Sequence, residues 1–282
     1  MPFYRVKDWT AAYDIEPHIA GAHGFYEAWE RDGRSFREAM PAARKILDLR
    51  YGPAPRNLLD IFLPEGKPRG LVVFVHGGYW SECDKPLWSH FARGVNERGF
   101  AMCVPAYMLC PHVRIGDIVC EVAAAVERSA QEIAGPIALA GHSAGGHLAS
   151  RLVAAPKVLP DTTLSRIVNL VSISGLHDLR PIMQTNMNET LAIDEADAMA
   201  HSPALLRPAR DLRVTCWVGS AERAEFLRQS ALLANVWGGL GCSTATIVAP
   251  DRHHFDVIDD LQSPSSDLTQ TLVGPLEGEQ AR

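Results

Sequence analysis

From Leu58 onward the chain repeats one rhythm: a short apolar run of strand length, a turn, then a stretch with helical periodicity. The strand-like runs are 58–64, 71–76, 100–107, 137–141, 167–174, 212–218 and 245–248. The run Leu58–Pro64 alternates as a half-buried strand does, whereas Leu71–His76 is continuously apolar, as a strand covered on both faces must be. Helical stretches fall at 86–98, 115–133, 144–155 and around FLRQSALLANVW (226–237). Strands alternating with helices dictate a mostly parallel sheet flanked by helices, an α/β fold. The 282 residues suffice for one such domain with a large core.

The other regions carry weaker patterns. The first fifty residues are mixed, with weak helical periodicity over 24–46. The stretch between Gly175 and Pro208, with its centre at about 176–206, lacks strand character and is long enough to predict a cap or lid. The residues from about Gly274 to Arg282 read as a frayed tail. The net charge of −6 gives no reason to expect nucleic acid or an anionic membrane surface as partner. MPFYRVKDWT has no apolar signal region, and no apolar run is long enough to span a bilayer. The expected setting is the cytoplasm and the expected partner a small-molecule substrate, with a homodimer left open. The six cysteines form no CxxC pair and read as free, mostly buried thiols. No histidine pair stands at metal-binding helical spacing and no phosphate-binding glycine fingerprint occurs, so neither metal nor cofactor is expected.

One pentapeptide carries chemistry because of where it lies. Gly141-His142-Ser143-Ala144-Gly145 fits G-x-S-x-G, with an apolar strand running into it and a helix leaving it. So sharp a strand-to-helix turn lifts the serine above the sheet edge and tolerates only small neighbours, which marks Ser143 as a nucleophile. Upstream, His76-Gly77-Gly78-Tyr79-Trp80 ends the strand 71–76. Glycines there leave main-chain N–H groups unobstructed, so Gly77, Gly78 and Ala144 are the candidate oxyanion hole. The base should follow the last strand, at His253 or His254. The acid should follow the strand 212–218: Glu222 lies four residues past its end, with Glu225 and Asp178 as rivals.

The chain resembles the kynurenine formamidase (arylformamidase) type of α/β-hydrolase, close to the hormone-sensitive-lipase-like esterases. The resemblance spans about 51–261. It is carried by YGPAPRNLLDIFLP, HGGYW, AYMLCP (106–111), GHSAGGHLA, SGLHDLRPI (174–182), EFLRQS (225–230) and HHFDVID (253–259). It implies the α/β-hydrolase fold and His254, the histidine directly before Phe-Asp, as the base. It also implies Glu222 as the acid, at a position where relatives carry aspartate. The implied reaction is hydrolysis of N-formyl-L-kynurenine to formate and L-kynurenine through an acyl-enzyme on Ser143, with Tyr79 and Trp80 as walls for the aromatic ring. A carboxylesterase or an amidase for another acylated aryl amide would use the same machinery.

Overall fold

A computed structural model of the chain describes residues 5–279. Its strands are β1 (Lys45–Arg50), β2 (Leu58–Phe62), β3 (Leu71–Val75), β4 (Ala101–Pro105), β5 (Ile137–His142), β6 (Ile167–Ile173), β7 (Arg213–Gly219) and β8 (Ser243–Ala249). They form one sheet in the order β1-β2-β4-β3-β5-β6-β7-β8. The β1–β2 and β2–β4 pairs are antiparallel and all the others parallel. All seven runs expected as strands are present. β3, β4 and β5 are buried along their whole length, in keeping with unbroken apolar sequence covered on both faces.

β1 was not legible as a strand. Asp48 takes a left-handed φ of 54°, and the pairing with β2 slips between Ile46 and Leu49. A bulge of this kind breaks the two-residue alternation on which strand recognition depends. Asp60 caps the irregularity by accepting from the Asp48 amide (2.9 Å), and Lys85 bridges both carboxylates at 2.7 Å.

The helices are α1 (Trp9–Tyr13), α2 (Ala22–Ala39), α3 (Ala92–Glu97), α4 (Ile115–Glu132), α5 (Ala144–Leu152), α6 (Asp161–Leu164), α7 (Asn188–Leu191), α8 (Glu195–His201), α9 (Ala224–Gly238) and α10 (Asp267–Glu279). The expected helix over 86–98 is a 3-10 segment, Lys85–Phe91, that continues into α3. The expected tail is corrected by α10: Leu268, Leu272 and Leu276 lie four residues apart and are fully buried, which holds the helix through Glu279. Residues 280–282 lie outside the described part. The stretch 176–206 contains no strand; α7, α8 and two 3-10 turns fill it, with Leu179, Ile182 and Leu191 packed inward. Of the cysteines, Cys103, Cys110, Cys216 and Cys242 are buried free thiols, Cys83 is half-buried and Cys120 is exposed. Among the described residues no helix is long and apolar enough to cross a membrane.

Candidate active site

Parallel strands deliver their carboxyl ends to one edge of the sheet, and three of those ends converge. At the end of β5, Ser143 adopts φ 56° and ψ −120°, a conformation that costs a non-glycine residue about 1–3 kcal/mol. Its amide donates to the Ile173 carbonyl at 2.8 Å, which ties the turn to β6. The flanking glycines are obligatory. A Cβ on Gly141 would lie 2.1 Å from the Gly145 oxygen, and one on Gly145 would lie 1.9 Å from the Val75 oxygen. This is the strained elbow expected around Ser143.

The loops that carry the candidate acid and base are stitched together. The Ser220 amide donates to the Ala249 carbonyl and the Ala221 amide to the Arg252 carbonyl, both at 2.9 Å. At the end of β7, a Cβ on Gly219 would meet the Arg252 oxygen at 2.1 Å, so the two loops touch main chain to main chain. This contact brings Glu222 to His254. Glu222 Oε2 accepts from His254 Nδ1 at 2.6 Å, while its Oε1 accepts from the Ser174 hydroxyl at 2.5 Å and the Gly219 amide at 2.8 Å. A carboxylate can only accept, so Nδ1 carries the hydrogen and Nε2 is left to take a proton from a nucleophile. His254 and Glu222 are buried, and His254 shares a cavity with Ser143.

The rival groups are engaged elsewhere. Glu225 accepts from Tyr13 Oη at 2.9 Å and pairs with Arg228 at 2.8 Å. Asp178 receives a two-point contact from the Arg180 guanidinium at 2.9 and 2.8 Å. Burial works to raise the Asp178 carboxyl, but the bonds from Arg180 outweigh it and hold the group below the usual carboxylate range. His253 turns its Nδ1 to the amides of Phe255 and Asp256 and packs edge-on against Phe25, 5.1 Å between centroids. Cys83 lies in the same cavity as Ser143, but burial, then Glu82, push its thiol up to about 12, so it stands protonated at neutral pH.

Gly77 packs directly on Ser143, the candidate nucleophile, since a Cβ there would lie 3.1 Å from Ser143 Cβ. Gly78 takes φ 104° and lines the cavity. The loop is held from below by Tyr107, whose hydroxyl donates to the His76 carbonyl at 2.9 Å and whose ring stacks on His76 at 4.3 Å. Ala144 opens α5, where the first amides of a helix have no partner within it.

The cavity holds about 270 Å³, and aromatic side chains dominate its walls: Tyr26 and Trp29 from α2, Tyr79, Trp88 and Phe255. Carboxylates of Asp14, Glu16 and Glu82 also line it, with Met187 reaching in from the 176–206 stretch. Of the two aromatics that the resemblance implies as walls, Tyr79 lines the cavity. Trp80 does not. Tyr79 and Trp80 both take left-handed φ (45° and 58°), which turns Trp80 back into the core, fully buried, with its indole N–H donating to His147 Nδ1 at 3.1 Å. The walls from α2 and residues 14–16 gave no sequence signal beyond aromatic content. Ser174, which holds Glu222, lies within SGLHDLRPI but carried no sign of this task.

Residues 59–202, more than half of the chain, match the family described as BD-FAE. The chain belongs to the BD-FAE family. A kynurenine formamidase of Drosophila melanogaster is 27% identical over 274 residues, covering 91% of this chain and 89% of its own length. A second, from Danio rerio, is 27% identical over 83% of each chain. A crystal structure from Silicibacter sp. tm1040, described as a "putative thioesterase", is 44% identical with a TM-score of 0.90, covering 93% of this chain and 98% of its own. An esterase of Pyrobaculum calidifontis shares the fold at a TM-score of 0.70 and 15% identity, over 96% and 97% of the two chains. This BD-FAE member thus has the α/β-hydrolase fold, and it is an enzyme that hydrolyses amide or ester bonds.

Proposed function

We propose that the protein is a serine hydrolase of aryl formamides, with N-formyl-L-kynurenine as substrate, and that Ser143, His254 and Glu222 perform the reaction. In this reading Ser143 Oγ attacks the formyl carbon while His254 Nε2 takes its proton, and Glu222 steadies the imidazolium. Negative charge on the former carbonyl oxygen is received by the amides of Gly77, Gly78 and Ala144. His254 then protonates the aryl nitrogen, the carbon–nitrogen bond breaks, and L-kynurenine departs. A water that gives its proton to His254 attacks the formyl ester; formate leaves and Ser143 recovers its proton.

The observation that carries the substrate class is the cavity itself. It brings Ser143 and His254 to the floor of a small space walled by Tyr26, Trp29, Tyr79 and Phe255, which suits a flat ring with a very small acyl group. Similarity to kynurenine formamidases along most of the chain supports the same class and would place the enzyme in tryptophan breakdown. An esterase or thioesterase is the second reading, favoured by the 44% identity to the Silicibacter protein. Comparing kcat/KM on N-formylkynurenine with that on short aryl esters and acyl thioesters separates the two. The formamidase reading requires the formamide to lead; equal or better turnover of acetyl or butyryl esters overturns it and leaves the serine-hydrolase reading intact.

A further inference from the structure

His142 precedes the nucleophile and is 2% exposed. Its Nε2 lies 2.8 Å from the main-chain carbonyl oxygen of His254. A carbonyl oxygen only accepts, so Nε2 must carry the hydrogen. Burial, then the neighbouring His254, hold the ring well below the ordinary histidine range, so it is neutral and Nδ1 is a bare acceptor. That Nδ1 is buried without a protein partner, 3.3 Å from where a Cβ on Gly77 would stand. The ring also lies against the imidazole of His254, 4.7 Å between centroids, and faces Trp88 at 5.9 Å.

One side chain therefore spans the three parts of the site. Its backbone belongs to the strand that presents Ser143, its N–H holds the loop that presents His254, and its far edge abuts the Gly77 loop. Tightness on this path matters, because Ser143 and His254 arrive from positions more than a hundred residues apart. An ionised ring here would add a second positive charge beside the imidazolium that forms during the reaction, so the buried neutral state serves the chemistry as well as the packing.

Resting on the serine-hydrolase reading, we infer that His142 is a positioning residue that sets the distance between Ser143 and His254 through a single N–H bond to the His254 carbonyl, in the Nε2–H tautomer only. The test uses the full-length protein, a fluorophosphonate probe and an aryl formamide or ester that the wild type turns over. His142→Phe keeps a flat ring but loses the donor. It should slow probe labelling and lower kcat by about 10²-fold, the loss expected for a base displaced by an ångström, with KM nearly unchanged and the melting temperature lowered by only a few degrees. His142→Gln places an amide N–H near the same point and should recover most of that loss, which a purely space-filling role would not allow. Full activity in His142→Phe, or no recovery in His142→Gln, overturns the inference. Should the variants not fold, long-range ¹⁵N–¹H NMR of the wild-type imidazoles decides: it should show His142 protonated at Nε2 alone, and a hydrogen on Nδ1 overturns the inference. Failure of the wild type itself to label at Ser143 would instead overturn the serine-hydrolase reading, and this inference with it.

Discussion

At the carboxyl ends of β5, β7 and β8, short loops hold Ser143, Glu222 and His254 by main-chain contacts and by glycines with no room for a Cβ. Across the cavity the walls are made differently. Tyr26, Trp29, Trp88 and Phe255 pack ring against ring, with centroids 4.9–5.4 Å apart in the Tyr26–Trp29, Trp29–Trp88 and Trp29–Phe255 pairs. The first region is fixed by strand register and backbone geometry, and in the proposed reading it would serve any acyl transfer. The second is fixed by side-chain packing, which tolerates replacement of one ring by another, and in the proposed reading it would choose what enters. Damage to the floor should depress all substrates together, whereas damage to the walls should reorder them.

The sharpest way to break this contrast is Ser143→Ala. Removing the nucleophile should lower kcat by about 10⁶-fold on every substrate and abolish fluorophosphonate labelling. Glu222→Gln should follow with a loss of about 10⁴-fold, because an amide in place of the acceptor favours the wrong tautomer of His254. Near-normal turnover in that variant would remove Glu222 from the triad. Ser174→Ala deletes the 2.5 Å bond to Glu222 Oε1 and should lower kcat about tenfold with KM unchanged, measured by steady-state kinetics. Tyr26→Ala acts on the wall. It should change the ratio of kcat/KM between small and bulky acyl groups by about tenfold while leaving the labelling rate near that of the wild type. A uniform fall on all substrates would mean that wall and floor are not separable. Least of all, Tyr79→Phe loses the hydroxyl bond to the Tyr13 carbonyl and should cost about 1 kcal/mol of stability in urea unfolding, with little effect on kcat.

The same division explains what the sequence could disclose. The seven strands and four helical stretches between them were legible because each is a local pattern, whereas the short helices α6, α7 and α8 have too few residues to show a periodicity. The elbow was legible because Gly141 and Gly145 stand at the only positions where such a turn accepts them. Glu222 could be singled out from its distance past β7, and its Oε2 lies 2.6 Å from His254 Nδ1. The choice between His253 and His254 needed resemblance, since two adjacent histidines on one loop differ only in what the fold puts beside them. The walls were out of reach: Phe25 meets His253, and Trp29 meets Trp88 and Phe255, across separations that no periodicity encodes. Trp80 was misplaced for a related reason. Adjacent aromatics after a glycine pair give no hint that two successive left-handed residues send one ring to the cavity and the next to the core.

The first helix and the residues just after it are anchored on the body of the protein: Tyr13 is fully buried, and its hydroxyl donates to Glu225 and accepts from Gln229. Tyr79 donates to the Tyr13 carbonyl, Arg223 to that of Ala11 at 2.8 Å, and the Asn186 amide to the Thr10 hydroxyl at 3.0 Å. Yet this stretch carries Asp14 and Glu16 into the cavity, and α2, which follows it, carries Tyr26 and Trp29. One contiguous piece near the amino end, outside the sheet, thus supplies Asp14, Ile15, Glu16, Tyr26 and Trp29 to the cavity lining. The same piece also leans on the catalytic side of the molecule, with Phe25 against His253 and Tyr13 bonded to Glu225, so wall and machinery share a border there.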